Sequence, residues 1–446
     1  MNLISGWGLH NPVNVNILNP HNHVELENII VNSRKNSVLA RGLGRSYGDA
    51  AQLKNKSVFS LYAFDHIYLN KKEGFITAGS GVSIDSLLKK IIPEGFFIPV
   101  SPGTRNVTIG GAIASDVHGK NHHLNGSFGN HIREILLIDG RGDFKKLSAI
   151  NNEPIEIKNQ FWATIGGMGL TGVIVEAKFK LISITSSQVK VYTQKFNDLD
   201  SLMESMIEND NHHKYSVAWI DSLSKKGRGI LTRGDHADFD EINNKGRNIY
   251  KEPLKYDVEK TPNTPSFFPN GILNNFTVSL FNKIWFARST NSLESEFQSI
   301  STFFHPLDGL KNWNRIYGNN GFIQYQFVIP DDQIVKNLKL IFKKISEFGI
   351  NPFLGVLKKF GKQNDNLLSF PMSGYTLAMD IKIDKKLFKS IEELDKIIIN
   401  LGGRIYLTKD SLMNEKTFKN SYKKWEQFEN VREKYGAVNK FQSDQS

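Results

Sequence analysis

The chain of 446 residues contains no cysteine, and this absence removes several kinds of chemistry at once. Without a thiol there is no disulfide bond, no thiolate metal ligand and no cysteine nucleophile. The absence does not identify a redox compartment.

Long apolar runs are also missing from the sequence. No stretch approaches the ~18 apolar residues that a membrane-spanning helix requires. The N-terminal stretch MNLISGWGLHNPVNV lacks the basic region and apolar core of a secretory signal. We therefore expect a cytoplasmic protein with no signal peptide or transmembrane segment, either in solution or peripheral at the inner membrane surface. No internal repeat of solenoid or propeller period is found.

Acidic residues are fewer than basic ones, with 45 Asp and Glu against 56 Lys and Arg, which gives a formal net charge of +11. This balance favours acidic partners such as phosphorylated ligands, nucleic acid or an anionic membrane face. The lysines lie in small scattered clusters, without a basic arm or tail, so we expect no nucleic-acid partner. The length of the chain predicts two domains.

Glycine is abundant in residues 101–131, SPGTRNVTIGGAIASDVHGKNHHLNGSFGNH. Small residues leave the backbone bare, so that it can approach a large flat or polyanionic ligand. Because so many glycines weaken helices and strand interiors, we predict a loop that cradles a cofactor. Main-chain N–H groups would meet phosphates, and His118 and Lys120 would lie at the reactive end. The alternative is a glycine-rich surface loop without a ligand.

Two further glycine-rich stretches carry familiar motifs. Residues 41–52, RGLGRSYGDAAQ, follow a predicted strand and offer donors suited to a pyrophosphate. They contain G-x-S-x-G, but no helix is predicted after it, as the nucleophile elbow of serine hydrolases requires. Residues 167–172, GMGLTG, match a dinucleotide fingerprint, yet the following VIVEAKFKL predicts a strand where a Rossmann turn opens a helix. These glycines can still contact a cofactor.

Four histidines at positions 118, 122, 123 and 131 lie near Asp116. Their spacing on a glycine-broken loop does not define one tetrahedral face. We therefore predict no metal site and expect one histidine to be a polar active-site group.

Apolar periodicity predicts strands and helices in alternation, with a mixed second domain from about residue 188. Residues 256–286 are rich in proline, asparagine and phenylalanine, which is typical of a mobile lid or a membrane-contacting loop. A core-packed irregular connection is the alternative. Further on, RIYLTKDS is predicted as a strand, and TFKNSYKKWEQFENVREKYG as one amphipathic helix.

The blocks RGLGRSYGD, PGTRNVTIGGAIASDVHGKNHH, GSFGNH and FWATIGGMGLTG together resemble the FAD-binding half of flavoproteins of the vanillyl-alcohol-oxidase type. Within that group the chain is similar to the decaprenylphosphoryl-β-D-ribose 2-oxidase family. The likeness continues through AWID, FIQYQFVIP, VLKKFG, LSFPMSG and RIYLTKDS. It implies an α+β fold, in which a two-part FAD-binding domain holds an inserted α+β substrate domain built on an antiparallel sheet. The expected bounds are 1–186 for the FAD-binding domain, 187–402 for the substrate domain and 403–446 for a returning C-terminal segment.

The resemblance also implies roles for individual residues. Non-covalent FAD would be contacted by Arg41, Gly42, Gly44, Arg45, Ser46, Tyr47, Gly103, Thr104, Thr108, Gly110, Gly111, Ala114, His118, Gly119, Lys120, Gly172 and Tyr406. Substrate would be contacted by Trp219, Gln324, Gln326, Lys358, Phe360, Ala378 and Lys409. Ala378 stands where mycobacterial members of the family have a cysteine, so the pocket lacks that thiol.

The implied reaction oxidises a secondary sugar hydroxyl to a ketone by hydride transfer to flavin N5. The substrate would be a polyprenylphosphoryl-β-D-ribose-like glycolipid oxidised at C2′, as the first half of a 2′-epimerisation. Lys409 would supply a cation at the pyrimidine edge of the flavin. The hydroxyl proton would go to His118 or Lys120, or to solvent through Tyr47. Quinone or oxygen would accept the electrons, and a short-chain reductase would be the partner.

Two other functions are open at this point. One is a soluble sugar, alditol or aldonolactone oxidase on the same fold, and the other is a flavin-free binding protein on a degenerate fold. An anionic lipid substrate suits the net charge of +11 and the apolar stretch 261–286, which can supply a cationic mouth and a surface for the tail. Peripheral membrane contact through 261–286 is therefore expected.

Overall fold

The computed structural model describes the chain apart from residues 34, 36, 225, 244–251, 259–260 and 266–270. The first part of the chain alternates short strands and helices. Its strands are β1 (Asn2–Ile4), β2 (Val13–Leu18), β3 (Val38–Arg41), β4 (Ser57–Ser60), β5 (Ile67–Asn70), β6 (Phe75–Gly79), β7 (Phe96–Phe97), β8 (Ile132–Ile138), β9 (Phe144–Leu147), β10 (Val173–Lys180) and β11 (Ile182–Ser183). Its helices are α1 (His23–Asn32), α2 (Ile84–Ile91), α3 (Ile109–Ala114), α4 (His122–Asn125) and α5 (Ile155–Thr164).

The second part of the chain carries longer strands. They are β12 (Gln188–Phe196), β13 (Tyr215–Ile220), β14 (Gly229–His236), β15 (Ser292–Ser299), β16 (Phe322–Ile329), β17 (Leu354–Phe360) and β18 (Gly374–Lys382). The helices are α6 (Leu199–Asn209), α7 (Phe239–Asn243), α8 (Asn275–Arg288), α9 (Ile300–Phe304), α10 (Ile334–Glu347) and α11 (Leu387–Asn400). The chain closes with β19 (Arg404–Ile405), α12 (Glu415–Ser421) and α13 (Trp425–Lys434).

Three larger sheets arise from these strands in the described part of the chain. The first two have the orders β1-β2-β4-β3 and β5-β6-β10-β8-β9, and the third runs β15-β12-β14-β13-β17-β18-β16-β19. The strand pairs of the second and third sheets are antiparallel, whereas β4 pairs in parallel with β2 and β3. Mixed helices and mainly antiparallel sheets agree with the predicted α+β class. The domain bounds at 186/187 and 402/403 stay predictions.

Helix α2 shows how sequence produces these elements. The Ser83 side chain accepts a hydrogen bond from the N–H of Ser86 and caps the first turn. Ile84, Leu87 and Leu88 repeat at helical spacing and are fully buried in the core of the first part. Burial of each such side chain contributes roughly 1.5–3 kcal/mol, which holds α2 in place.

The large sheet separates a core from a polar surface by the two-residue period of its strands. In β16 the odd-numbered residues from Ile323 to Ile329 belong to the core beneath α6, α10 and α11, as do the odd-numbered residues of β18 from Tyr375 to Ile381. The even-numbered residues of both strands therefore face the other way. That opposite face is the one that carries the polar side chains described below.

Several local predictions were wrong. The stretch 101–131 is not loop throughout, because it contains α3 and α4. The Thr108 side chain accepts from the N–H of Gly111 and caps α3 despite its two glycines. The single C-terminal helix is two helices, since Tyr422 leaves helical geometry at φ −116° and ψ 80° after α12. The strand in RIYLTKDS is only Arg404–Ile405.

The proline-rich stretch 256–286 ends in a helix that the sequence did not predict. Asn274 caps α8 through a capping box with Thr277. Residues 259–260 and 266–270 of the stretch lie outside the described residues. Among the residues that are described, no helix has both the length and the apolar character needed to cross a bilayer.

Candidate active site

A cavity of about 1020 Å³ is lined by both parts of the chain and by the segment after β19. It brings together most of the residues singled out in the sequence. These are Arg41, Gly42, Gly44, Arg45, Ser46, Tyr47, Gly103, Thr104, Thr108, Gly110, Gly111, Ala114, His118, Gly172, Gln324, Gln326, Lys358, Ala378, Tyr406 and Lys409.

One wall of the cavity is built from the glycine-rich stretches, and we call it the glycine wall (41–47, 103–114 and 168–172). A Cβ at Gly42 would lie 2.3 Å from Thr108 Oγ1, so glycine is required where the first stretch passes α3. The Arg41 guanidinium braces this turn by donating to the carbonyls of Ala51 and Ser5 at 2.6 and 2.7 Å. The wall is thus held by close backbone packing.

Three serine hydroxyls that line the cavity are buried but lack hydrogen-bond partners within the described residues. They are Ser46 Oγ, Ser60 Oγ and Ser80 Oγ. A buried hydroxyl without a partner costs free energy unless a ligand satisfies it. Together with bare backbone, these hydroxyls suit a ligand rich in hydrogen-bond acceptors.

The opposite wall is the polar face of the large sheet, and we call it the sheet wall. Cross-strand pairing sets Gln326, Ala378 and Val356 in one row, with Trp219 opposite Val356 at the end of that row. A second row holds Gln324, Asp380 and Leu354, and a third pairs Thr376 with Lys358. Alternation therefore explains why residues far apart in sequence share this wall.

His118 connects the two walls. It is buried, and its ring contacts those of Phe360 and Tyr406 at centroid distances of 4.8 and 5.2 Å. Burial lowers the pKa of His118 well below its ordinary value, and the positive charges of Lys358, His122 and Lys409 lower it further. The imidazole is therefore neutral at neutral pH. Its Nε2 accepts a hydrogen bond from Gln326 Nε2 at 3.1 Å, which leaves the proton on Nδ1.

Two lysines with lowered pKa values line the cavity. Burial lowers the pKa of Lys358 to about 8. Burial also lowers the pKa of Lys409 to about 7, with Lys358 contributing and the Asp380 carboxylate opposing. The Lys409 ammonium lies 3.9 Å from the centre of the Tyr47 ring. Both groups can carry a positive charge or release a proton near neutral pH.

Asp380 supports this cluster from beneath. Its Oδ1 accepts from Gln324 Nε2 at 2.6 Å, and the residue is 1% exposed. Burial raises its pKa to about 6, while the hydrogen bond from Gln324 and the charge of Lys409 oppose the rise. The carboxylate orients the Gln324 amide, which itself lines the cavity.

The segment after β19 closes the site. The N–H of Tyr47 donates to the Thr408 carbonyl at 3.0 Å, and the N–H of Tyr406 donates to the Gln326 carbonyl at 2.9 Å. The Tyr406 hydroxyl donates to the Ser115 carbonyl at 3.0 Å. These bonds fasten Lys409 between the glycine wall and the sheet wall.

Four predicted site residues do not line the cavity. The Lys120 ammonium instead donates to the Phe303 carbonyl and lies 4.1 Å from the centre of the Phe303 ring. A Cβ at Gly119 would lie 2.9 Å from the Ser101 carbonyl oxygen, so Gly119 serves close packing. Phe360 is buried against the ring of His118. Trp219 lies opposite Val356, at the end of the row that contains Gln326 and Ala378. The roles predicted for these four residues stay predictions.

The other histidines of the 101–131 stretch bind backbone groups. The His122 ring accepts from the N–H of Gly361 at 3.1 Å, and the rings of His123 and His131 contact the carbonyls of Asp210 and Asn125 at 3.0 and 2.9 Å. The described residues contain no group of three or more ligands suited to a metal ion.

Sequence reasoning missed several lining residues. Met168 and Gly169 lie within the GMGLTG motif, so the signal was present. Asp308 accepts hydrogen bonds from the Thr104 hydroxyl and the Arg105 N–H at 2.7 and 2.8 Å. Because Asp308 is about 200 residues away in sequence, no local sequence pattern predicts these contacts. The further missed lining residues include Trp7, Ser80, Asn106, Trp313 and Thr408.

Comparison with known proteins explains this arrangement. Residues 16–148 match the FAD binding domain family. The chain is 35% identical to decaprenylphosphoryl-β-D-ribose oxidase of Mycolicibacterium smegmatis, over 99% of this chain and 96% of that protein. The chain belongs to the decaprenylphosphoryl-β-D-ribose oxidase family. It is an FAD-dependent oxidoreductase with an α+β FAD-binding fold.

Two further relatives define how far the likeness extends. A protein of Streptomyces coelicolor named "Uncharacterized protein in mprA 5'region" is 26% identical, over 81% of this chain and 98% of that protein. L-gulonolactone oxidase 5 of Arabidopsis thaliana is 26% identical, but over only 39% of this chain and 29% of that protein. The flavin-free alternative is wrong, because FAD is the cofactor of this chain.

The cavity residues fit FAD. The bare backbone of the glycine wall and the partnerless serine hydroxyls would suit the phosphates and ribitol. The amides of Gln324 and Gln326 and the ammonium of Lys358 on the sheet wall, with the ammonium of Lys409 from the segment after β19, would suit a flavin and a substrate. Which of these residues contacts FAD stays a prediction.

Proposed function

We propose that the enzyme oxidises the C2′ hydroxyl of a polyprenylphosphoryl-β-D-ribose-like glycolipid to a ketone, as the first half of a 2′-epimerisation. The observation that carries this proposal is the pair of cations in the cavity, with Lys358 on the sheet wall and Lys409 on the segment after β19. The likeness to the mycobacterial oxidase, which extends over 99% of the chain, supports it. In contrast, the lactone oxidase is similar over only 39% of the chain.

FAD, when bound, supplies the acceptor for the two electrons and the hydrogen that leave the sugar carbon. The protein residues position the substrate and control charge. In its protonated form Lys409 favours negative charge that develops in the cavity. Lys358 is suited to an anionic or hydroxyl-rich sugar ligand, because it lines the cavity beside Thr376 on the sheet wall.

We assign the hydroxyl proton to Nε2 of His118. The lowered pKa keeps the imidazole neutral, which is the form required of a proton acceptor. The Gln326 amide already donates to this nitrogen and also to Thr376 Oγ1 at 3.1 Å. A substrate hydroxyl would replace the amide as the donor, and Gln326 would keep its bond to Thr376.

Reduction of the bound flavin tests the substrate class. Purified enzyme, mixed anaerobically with polyprenylphosphoryl ribose, should lose its flavin absorbance near about 450 nm. Trapping the product with borodeuteride should place deuterium at C2′ of the sugar. Bleaching by alditols or aldonolactones, with none by the glycolipid, would instead support a soluble sugar oxidase.

The reaction needs two partners that we also propose. Quinone or oxygen would reoxidise the flavin, and reoxidation rates with a short-chain quinone and with air distinguish them. A short-chain reductase would consume the ketone and complete the epimerisation. Adding such a reductase to the assay should yield the arabino epimer.

A further inference from the structure

We propose that helix α8 (Asn275–Arg288) docks on an anionic lipid surface and presents the lipid-linked substrate to the cavity. This inference deepens the proposed function and rests on it for the lipid character of the substrate. The observation that supports it independently of the proposed function is an exposed apolar helix face beside the cavity.

The outer surface of α8 carries large apolar side chains. Phe276 is 75% exposed, and four more side chains are between 45% and 49% exposed, namely Leu280, Phe281, Ile284 and Trp285. Phe276, Leu280 and Ile284 recur every four residues, so they form one stripe along the helix. An apolar patch of this kind marks a surface that contacts another molecule.

The inner side of α8 is fixed to the protein. Val278 is buried, and Asn282 donates to Asp221 Oδ1 at 2.8 Å. At the C-terminal end, the Lys195 ammonium donates to the Ser289 carbonyl at 2.8 Å. The Arg228 guanidinium lies 4.7 Å from the centre of the Phe286 ring. The exposed stripe is therefore held outward by contacts on the other side of the helix.

The charge of this region indicates the occupant. The sequence from Thr261 to Arg288 contains no Asp or Glu, although the whole chain has 45. Its two charged residues are Lys283 and Arg288, both exposed. Exposed apolar side chains together with exposed basic ones favour an anionic bilayer surface. Trp285 adds a side chain that is enriched at the membrane interface.

The stripe lies beside the cavity through aromatic contacts. Leu273, just before the helix, packs against the cluster of Tyr47, Tyr317 and Phe322, of which Tyr47 lines the cavity. The Phe281 ring lies 5.6 Å from that of Phe353, next to the lining residue Leu354. A polyprenyl tail held at α8 would thus leave its sugar near the cavity.

Vesicle binding by the full-length holoenzyme tests this inference without any substrate. Wild type should co-sediment with vesicles of equal parts phosphatidylglycerol and phosphatidylcholine, more strongly than with phosphatidylcholine alone, and less at high salt. The variant F276S/L280S/I284S should bind at least tenfold less. A matched control, L3S/V24S/I155S, changes three side chains that are exposed elsewhere and should bind within twofold of wild type.

A charge-reversal variant keeps the test decisive if the serine variant does not fold. K283E/R288E should lose binding to the anionic vesicles and keep the weak binding to neutral ones. The serine variant should retain its flavin absorbance and its activity on a short-chain, water-soluble analogue while losing activity on vesicle-borne substrate. Wild type that binds the anionic vesicles but oxidises neither substrate would contradict the proposed function alone.

Three results would overturn the inference. The first is a wild-type protein that does not bind anionic vesicles. The second is a serine or charge variant that binds them as strongly as wild type does. The third is a lipid-free dimer, seen by light scattering and abolished by F276S/L280S/I284S, in a protein without vesicle binding. That result would assign the stripe to a second copy of the chain.

Discussion

The two walls of the cavity are built in opposite ways. The glycine wall is formed by backbone that packs against backbone and short side chains, as where Gly42 passes Thr108. The sheet wall is formed by long polar side chains that project from alternate positions of β16, β17 and β18. The glycine wall therefore has no room for an added atom at its close contacts, whereas the sheet wall can change side chains without moving its backbone.

The largest expected effect tests the glycine wall. In Gly42→Ala the new Cβ would lie 2.3 Å from Thr108 Oγ1, and α3 would have to shift. Such overpacking costs about 1–3 kcal/mol and displaces the bare backbone from its ligand. We expect little or no bound flavin at about 450 nm.

Gly103→Ala is the matched control for this change. Gly103 also lines the cavity, but a Cβ there meets no atom within 4 Å. The protein should retain its melting temperature within about 2 °C. Full flavin content in Gly42→Ala would show that the glycine wall does not depend on close packing.

The next effect concerns Lys409, which the segment after β19 holds between the two walls. Lys409→Ala removes the cation fastened beside Tyr47, so kcat should fall by about 10²–10³ and the flavin potential should become more negative. Lys359→Met is the control, because Lys359 lies in β17 next to Lys358 but does not line the cavity. Unchanged turnover and potential in Lys409→Ala would remove Lys409 from its assigned role.

The pH dependence should follow the same lysine. Because its pKa is lowered to about 7, Lys409 loses its charge as the pH rises through that value, and kcat/KM should fall on the alkaline side. In Lys409→Arg the guanidinium stays charged, so this fall should move above pH 9. An alkaline limb that is identical in both proteins, measured from pH 6 to 9.5, would contradict the assignment.

The smallest effect should come from Ala378→Ser. Ala378 lies between Gln326 and Val356 on the sheet wall and lines the cavity. A hydroxyl there adds little volume, so KM should change less than about threefold and flavin content should stay the same. Loss of flavin in this variant would show that the sheet wall is as intolerant as the glycine wall.

Sequence reasoning predicted the glycine wall better than the sheet wall. The glycines of the 41–47 turn indicate exposed backbone from the local sequence alone, and in the structure they line the cavity. Asp380 was missed although it follows Ala378 by two residues, because alternation identifies a shared face only once the strand and its partners are known. The resemblance supplied Gln324, Gln326 and Lys358, which composition alone would not have distinguished from surface residues.

The failures have physical causes as well. Helix α8 was missed because its apolar residues surround the helix without a polar face, so the amphipathic pattern is absent. The break after α12 depends on Tyr422, whose hydroxyl donates to the buried Ile405 carbonyl at 2.6 Å, a long-range contact.

The hydrogen bond from Tyr47 to Thr408 has a consequence for biosynthesis. It joins residues that leave the ribosome far apart in time, and Tyr406 and Lys409 reach the cavity through the same late segment. Contacts of such sequence separation form slowly. A nascent chain should therefore remain colourless until this segment emerges, so loading of the flavin is a step that follows translation.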